Sequence, residues 1–174
     1  MQLTAFSDGV FLLDGRRTRC ALGRAGVASG AAKREGDGAT PAGSWPIRRL
    51  LYRADRRRLP KTALAAVAIG PRDGWCDDPA DPAYNLPVAL PYPASAERLW
   101  REDALYDLVA PLGYNDEPVR PGLGSAIFLH LARPDFTPTE GCVALAPADL
   151  EAVLASVQPG DVIRVVEGPY ETRG

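Results

Sequence analysis

The spacing of apolar and polar residues along the chain predicts many short strands and few helices. Short apolar runs that are bounded by Gly, Pro, Asn or Asp are typical of strands. Asp14-Gly15 is a favoured tight-turn dipeptide between two such runs, so residues 3–22 are predicted to form a strand pair or a small meander. Further strands are predicted over residues 44–52, 64–69, 105–112, 126–130 and 161–166, with His130 at the end of the fourth.

Two segments are predicted to be helical. The clearer one covers residues 147–157, because proline at its first residue lacks only an N–H group that would have no partner there. Leu150, Val153 and Leu154 then lie on one face of that helix. Residues 96–103 are a plausible shorter helix.

The segment over residues 71–93 has no periodicity and is predicted to be a loop. A structureless loop of this length is uncommon in a compact domain and is often a lid or a binding loop. Trp75 and Tyr84 within it could line a pocket, or they could fix the loop to the domain.

Composition indicates an ordinary globular chain. The 174 residues are 46% hydrophobic and 24% charged, which fits a single domain over residues 1–174. Gly and Pro number 17 each, and this content suits strands joined by turns rather than a helical bundle. A formal net charge of −2 offers no basic surface for nucleic acid, and no apolar stretch is long enough to span a bilayer. The oligomeric state stays open.

The N-terminal residues and the cysteines predict a location. Residues 1–15 carry no basic residue ahead of their brief apolar patch and show no obvious cleavage site, so they do not resemble a secretory signal. Cys20, Cys76 and Cys142 form no C-x-x-C pair, and with one histidine they make a poor zinc set. An odd number of cysteines suggests free thiols in a reducing compartment. We expect a cytoplasmic protein; the alternative is a periplasmic or cell-envelope protein whose leader has been removed.

The candidate chemistry lies between residues 125 and 145. His130, the only histidine, follows an apolar run, and the loop after it closes on Gly141-Cys142. Cys142 is predicted to lie in a loop that leads into a helix, where outward-pointing N–H groups favour a thiolate and can bind an oxyanion. Because a cysteine nucleophile needs a base and histidine is the usual one, His130 is the predicted partner of Cys142.

Each of these residues also has a structural interpretation. Cysteine is among the most buried residue types, and a lone histidine beside an apolar strand is usually a structural residue. The two residues together, with Thr139 and Gly141 ahead of the cysteine, favour catalysis. Cys20 is predicted to be half-buried and to have no role. Cys76 is a weak rival, because its two flanking aspartates disfavour a thiolate.

The order of His130, a loop and the Thr-x-Gly-Cys motif of residues 139–142 resembles the active-site signature of the L,D-transpeptidase (YkuD-type) catalytic domain. Glu140 departs from that signature where a second histidine is usual, and Ala144 departs from it where an arginine is usual. The spacer after His130 is also shorter than in the best-known members. The Asp-x-x-Thr-Pro-x-Gly stretch of residues 37–43 resembles an architectural segment of the same family. The resemblance is to a divergent branch.

The resemblance implies a mainly β fold, a single-domain β-sandwich or barrel-like YkuD-type structure with one main helix after the catalytic cysteine and a core over about residues 3–166. It implies that Cys142 is the nucleophile and His130 the base. A backbone carbonyl near Leu131 would orient the histidine. Candidate groups for oxyanion and substrate binding are Thr139, Glu140 and Gly141, together with the N–H of Cys142.

The substrate that the resemblance implies is a peptidoglycan stem peptide or muropeptide, attacked between a diamino acid and D-alanine through a thioester acyl-enzyme. Transfer to an amine gives a cross-link, and transfer to water gives an L,D-carboxypeptidase of the kind that would act in cytoplasmic muropeptide recycling. No metal or organic cofactor is implied. The departures at positions 140 and 144 leave room for a peptidoglycan–peptide amidase of the same fold. A non-catalytic wall-binding domain is the remaining alternative.

Two further sets of polar residues have open roles. Six arginines lie between residues 48 and 58. Such runs are usually solvated surface, and the alternative is a landing area for a substrate rich in carboxylates. Asn115 and Asp116 precede the active-site strand, so either could approach His130.

Overall fold

A computed structural model describes residues 1–171, and these form fifteen strands and one helix. The strands are β1 (Leu3–Phe6), β2 (Val10–Leu13), β3 (Arg16–Ala21), β4 (Val27–Ala28), β5 (Thr40–Pro41), β6 (Gly43–Pro46), β7 (Leu50–Tyr52), β8 (Ala66–Ala68), β9 (Asp73–Cys76), β10 (Pro87–Ala89), β11 (Ala96–Arg98), β12 (Leu108–Pro111), β13 (Phe128–Leu131), β14 (Val143–Leu145) and β15 (Val162–Val166). The helix, α1, covers Pro147–Ser156. Within the described residues, no helix has the length and apolar character needed to cross a membrane.

Ten strands form the main sheet, in the order β6-β15-β1-β2-β3-β14-β13-β12-β7-β8. A three-stranded sheet has the order β10-β9-β11, and β4 pairs with β5. In the main sheet, β13 lies between its parallel neighbour β14 and its antiparallel neighbour β12. All four residues of β13 are buried, and α1 packs nearby through Leu150, Val153 and Leu154. The prediction of a mainly β fold with one main helix after Cys142 is confirmed.

Several local predictions are confirmed. The Asp14-Gly15 turn joins β2 to β3, and its residues have φ angles of 46° and 82°, which suit the hairpin turns that match strand twist. The helix begins at the predicted proline. The last strand, β15, lies within the predicted range 161–166.

The region between residues 71 and 103 differs from its prediction. The segment over 71–93, which is predicted to be a loop, contains β9 and β10. The prediction of a helix over 96–103 is wrong, because β11 occupies the first residues of this range. Since β9 pairs with β10 on one side and β11 on the other, these short strands are stabilised by each other. Strands of three or four residues are too short to show a periodicity, and their pairing overrides local helix propensity.

Other strands are shorter than predicted. The range 44–52 is two strands, because β6 pairs with β15 whereas β7 pairs with β12. The chain changes neighbours at Ile47, whose N–H donates to Asp161 O. The strand expected over 64–69 is reduced to β8, which is partly exposed at the edge of the sheet rather than buried. The strand expected over 105–112 is reduced to β12.

The strand that is predicted to end at His130 begins two residues later than predicted and continues one residue beyond the histidine, to Leu131. Ala126 cannot join it because its φ of 52° is left-handed, a conformation that is strained for residues other than glycine. Its N–H donates instead to Asn85 Oδ1 at 3.0 Å. The expectation that Cys142 leads into a helix is wrong, since β14 lies between Cys142 and α1.

Candidate active site

Cys142 and His130 line the same cavity, which has a volume of about 580 Å³. His130 lies in β13, and Cys142 directly precedes the parallel neighbour β14. The register pairs His130 with Ala144, two residues beyond the cysteine. Two adjacent central strands therefore bring the thiol and the imidazole to one cavity, as the sequence predicts.

The Cys142 thiol is buried and neutral at rest. Its Sγ donates to Ala126 O at 3.3 Å and accepts from Phe128 N at 3.4 Å. Burial raises the pKa of Cys142 to about 12, and the negative charge of Glu97 acts in the same direction. The expected thiolate-favouring position is wrong, because Cys142 is not at a helix start and burial disfavours its charged form.

The imidazole of His130 has one assigned tautomer. Nδ1 lies 2.8 Å from Leu131 O. Since a carbonyl can only accept, Nδ1 carries the proton, and Nε2 keeps its lone pair free to take another. Burial lowers the pKa of His130 to about 4, so the ring is neutral at ordinary pH. The structure thus contains the backbone carbonyl that the family resemblance implies near Leu131.

The loop before Cys142 is fixed by Thr139 and Gly141. Thr139 Oγ1 donates to Cys142 O at 2.7 Å and accepts from Gly141 N at 3.1 Å. Gly141 has a φ of +137°, and a Cβ at this position would lie 2.9 Å from Ala39 O. Glycine is therefore required here, both for its backbone angle and for the close approach of Ala39.

The segment over residues 37–43 braces the same loop from the other side. Thr40 Oγ1 accepts from Gly23 N at 2.8 Å and lies 3.5 Å from Cys142 O. Asp37 accepts from Ala39 N and forms an ion pair of 2.7 Å with the buried Lys33. These contacts are consistent with the architectural role that the resemblance implies.

Glu140 and Ala144, the two residues that depart from the family motif, both line the cavity. Glu140 is exposed and forms an ion pair of 2.9 Å with Arg24 at the rim of the cavity. Ala144 lines the cavity beside His130 without any polar group. Most of the charge within the cavity comes from other parts of the chain.

Sequence reasoning missed most of the polar lining of the cavity. Glu97 and Arg101 lie in a segment predicted to be helical, and Tyr106 and Arg133 carry no local motif, so no signal marked them. The polar and charged residues concerned are Lys33, Glu35, Asp77, Glu97, Arg101, Tyr106, Ser125 and Arg133. Within residues 1–171, no group of three or more His, Cys, Asp or Glu side chains is arranged to hold a metal ion.

Some predicted participants lie elsewhere. Asn115 donates to Arg120 O and Gly124 O, so its side chain serves its own loop, and Asp116 pairs with Arg48 at 2.8 Å. Neither residue lines the cavity that contains His130. Trp75 and Tyr84 fix the chain rather than line this cavity, since they donate to Asn85 Oδ1 and Glu35 Oε2 respectively.

The arginines and the other two cysteines also lie outside the cavity. None of the six arginines between residues 48 and 58 lines it. Arg53 is buried rather than solvated, and it stacks 3.6 Å over the Trp100 ring. Cys20 is fully buried rather than half-buried, with its pKa raised by burial to about 12. Burial, followed by nearby aspartates, raises the pKa of Cys76.

Comparisons with known proteins identify the family of the chain. A search of curated proteins gives no match. The crystal structure of Mycobacterium tuberculosis L,D-transpeptidase 1 matches with 16% identity and a TM-score of 0.42, over 95% of this chain and 60% of that one. This chain thus spans less than two thirds of that protein. The family model for the L,D-transpeptidase catalytic domain matches residues 2–166, so the chain belongs to the YkuD family.

Proposed function

We propose that this chain catalyses cysteine-dependent acyl transfer on peptidoglycan stem peptides, at the bond between a diamino acid and D-alanine. The observation that carries the proposal is the pairing of a buried thiol with a histidine whose Nε2 is free, in one cavity of a YkuD-family chain. Cys142 is the nucleophile and His130 is the base.

The first half-reaction starts from a neutral pair. His130 Nε2 takes the thiol proton as Sγ attacks the carbonyl carbon, so the imidazolium and the oxyanion form together in the tetrahedral intermediate. The imidazolium then gives its proton to the leaving nitrogen of D-alanine. The C–N bond breaks, and the acyl group stays on Cys142 as a thioester.

Backbone amides of the motif are the oxyanion donors in this proposal. The N–H of Gly141 already donates to Thr139 Oγ1, which supports the amides of Glu140 and Cys142 as the free donors. Thr139 holds the carbonyl of Cys142, so it keeps this amide-bearing turn in a fixed conformation. Preorganised donors of this kind stabilise the charge that develops on the carbonyl oxygen.

The charges of the cavity suit a substrate that carries both an amine and carboxylates. Lys33, Arg101 and Arg133 supply positive charge, and the negative charge comes from carboxylates of the same lining, Glu35, Asp77, Glu97 and Glu140. Arg133 is half-exposed and pairs only distantly with Asp103, at 3.8 Å. We propose that the arginines take over recognition of substrate carboxylates from the absent motif arginine.

The second half-reaction depends on the acceptor. His130 takes a proton from an amine or a water as that group attacks the thioester carbon. The C–S bond then breaks, and the imidazolium returns the proton to Sγ, which restores the thiol. An amine gives a cross-linked product, and water gives the L,D-carboxypeptidase reaction.

The test is to incubate the protein with a tetrapeptide that ends in diamino acid–D-alanine, with and without excess amine acceptor. We expect free D-alanine and a thioester adduct on Cys142 by intact-protein mass spectrometry, both absent in Cys142→Ala. Cross-linked dimer in excess of tripeptide identifies a transferase, and the reverse identifies a carboxypeptidase. Release of intact peptide from a muropeptide, without D-alanine, would instead indicate an amidase.

A further inference from the structure

We propose that Tyr106 is a positioning residue for His130, and that Glu97 of the three-stranded sheet holds Tyr106 in place. The proposal rests on the acyl-transfer function above, in which His130 must present Nε2 to the thiol.

His130 needs a second constraint. Its hydrogen bond to Leu131 O fixes Nδ1, but one bond leaves the imidazole free to tilt about the line that joins donor and acceptor. The Tyr106 ring meets the imidazole edge-on, with centroids 5.2 Å apart and an interplanar angle of 73°. This packing limits the tilt and so determines the direction in which Nε2 points.

Tyr106 is itself held at both ends. Its ring packs edge-on against Phe128 at 5.9 Å, on the same strand as His130. Its hydroxyl donates to Glu97 Oε1 at 2.5 Å. Tyr106 is only 5% exposed, so the ring has little room to move.

Glu97 connects this arrangement to another sheet. It lies in β11 opposite Trp75 of β9, and Trp75 packs edge-on against Phe128 at 5.1 Å. The three-stranded sheet therefore contacts the active-site strand through Trp75 and reaches the imidazole through Glu97 and Tyr106. A change in the position of that sheet would be transmitted to His130.

Glu97 also has an electrostatic effect that must be separated from positioning. Its carboxylate lines the cavity and disfavours a thiolate on Cys142. Glu97→Gln removes the charge and keeps an oxygen that can accept from Tyr106. Tyr106→Phe keeps the ring and removes the bond, and Tyr106→Leu removes the aromatic edge.

The experiment uses the fact that His130 is the only histidine of the chain. Protein labelled with ¹⁵N-histidine gives one imidazole spectrum, which reports the tautomer and the titration of that ring directly. We expect the Nδ1–H tautomer in the wild type and in Glu97→Gln. In Tyr106→Leu we expect a mixture of tautomers and a kcat lower by on the order of a hundredfold, as for a misplaced catalytic group. Tyr106→Phe should lower kcat by about three- to tenfold, the effect of one net hydrogen bond.

The matched control is Tyr114→Phe. It removes another buried tyrosine hydroxyl, one that donates to Leu123 O at 2.6 Å and lies outside the cavity, so the histidine spectrum should not change. An unchanged spectrum and kcat in Tyr106→Leu would overturn the proposal. If Tyr106→Leu does not fold, kcat of Tyr106→Phe decides, because an unchanged kcat would show that the bond to Glu97 does not hold Tyr106 in a position that matters for His130. If the wild type releases no D-alanine, the acyl-transfer function fails, and the spectra still decide whether Tyr106 positions His130.

Discussion

Burial acts in opposite directions on the two ionisable groups of the candidate site. It raises the pKa of the Cys142 thiol to about 12 and lowers the pKa of the His130 imidazole to about 4, because water no longer stabilises either charged form. Between these values both groups are neutral, so the resting site is not a thiolate–imidazolium ion pair. In the proposed reaction the proton must therefore move as the thiol attacks, which makes the expected rate depend directly on the base.

Cys142→Ala is expected to abolish D-alanine release and to leave the fold intact, because it removes the proposed nucleophile and little packing volume. The measurement is turnover with the tetrapeptide, alongside a circular dichroism spectrum. Cys20→Ala is the matched control, since it also removes a buried thiol of raised pKa, but one outside the cavity. The control should retain turnover and lose about 1 kcal/mol of stability. Substantial turnover in Cys142→Ala would exclude this residue as the nucleophile.

His130→Gln should slow acylation by about two to four orders of magnitude, the usual effect of losing an acid–base group. The wild-type rate should fall as pH drops through about 4, where His130 becomes charged and can no longer accept the thiol proton. This acid limb should be absent in the variant. Single-turnover acylation across pH measures both effects, and fitted values belong to the coupled pair. If His130→Gln lowers the acylation rate by less than tenfold, another group activates the thiol.

At the scale of elements, the predictable parts are those with local signals. The β2–β3 hairpin has its Asp14-Gly15 turn, and α1 has its proline and apolar face, so both could be predicted from nearby residues. The three-stranded sheet could not, because its strands depend on pairing with β9 rather than on their own sequences. The same distinction applies to the site residues. Cys142 and His130 could be predicted because they lie in one recognisable motif. Glu97 could not, because it reaches the cavity through the pairing of β11 with β9.

Asn85 joins the segment after β9 to the active-site strand. Its Oδ1 accepts from Trp75 Nε1 and from the N–H of Ala126, the residue whose carbonyl binds the Cys142 thiol. Asn85→Ala would leave these two buried donors without an acceptor. We expect a loss of about 2–5 kcal/mol in the free energy of unfolding, measured by urea denaturation.

Asn115→Ala is the matched control for Asn85→Ala. Asn115 also has a positive φ, and its side chain also bonds backbone groups, but it is partly exposed, so water can replace the lost bonds. Asn115→Ala should lower the free energy of unfolding by about 1 kcal/mol. Equal losses in the two variants would show that the left-handed backbone, rather than the buried hydrogen bonds, determines the stability at Asn85.

At the scale of the whole molecule, the buried histidine links the function of the site to the stability of the fold. Burial is the main cause of the lowered pKa of His130. Arg101 and Arg133 lower this pKa further, whereas the Leu131 carbonyl and Asp103 raise it. In the unfolded chain the same side chain would titrate near ~6.5. The folded state therefore binds a proton at His130 less readily than the unfolded state does.

This difference predicts how stability changes with pH. Because the pKa of His130 in the folded state is depressed to about 4, its contribution to the free energy of unfolding is fully present at pH values above its pKa in the unfolded chain. It is lost as pH falls from ~6.5 to the folded pKa, for a total of about 3 kcal/mol. Urea denaturation of the wild type and His130→Gln between these pH values measures it. Other groups titrate alike in both proteins, so the free energy of unfolding of the wild type relative to that of the variant should fall by that amount on acidification. Parallel stability curves for the two proteins would show that His130 is not held neutral by burial.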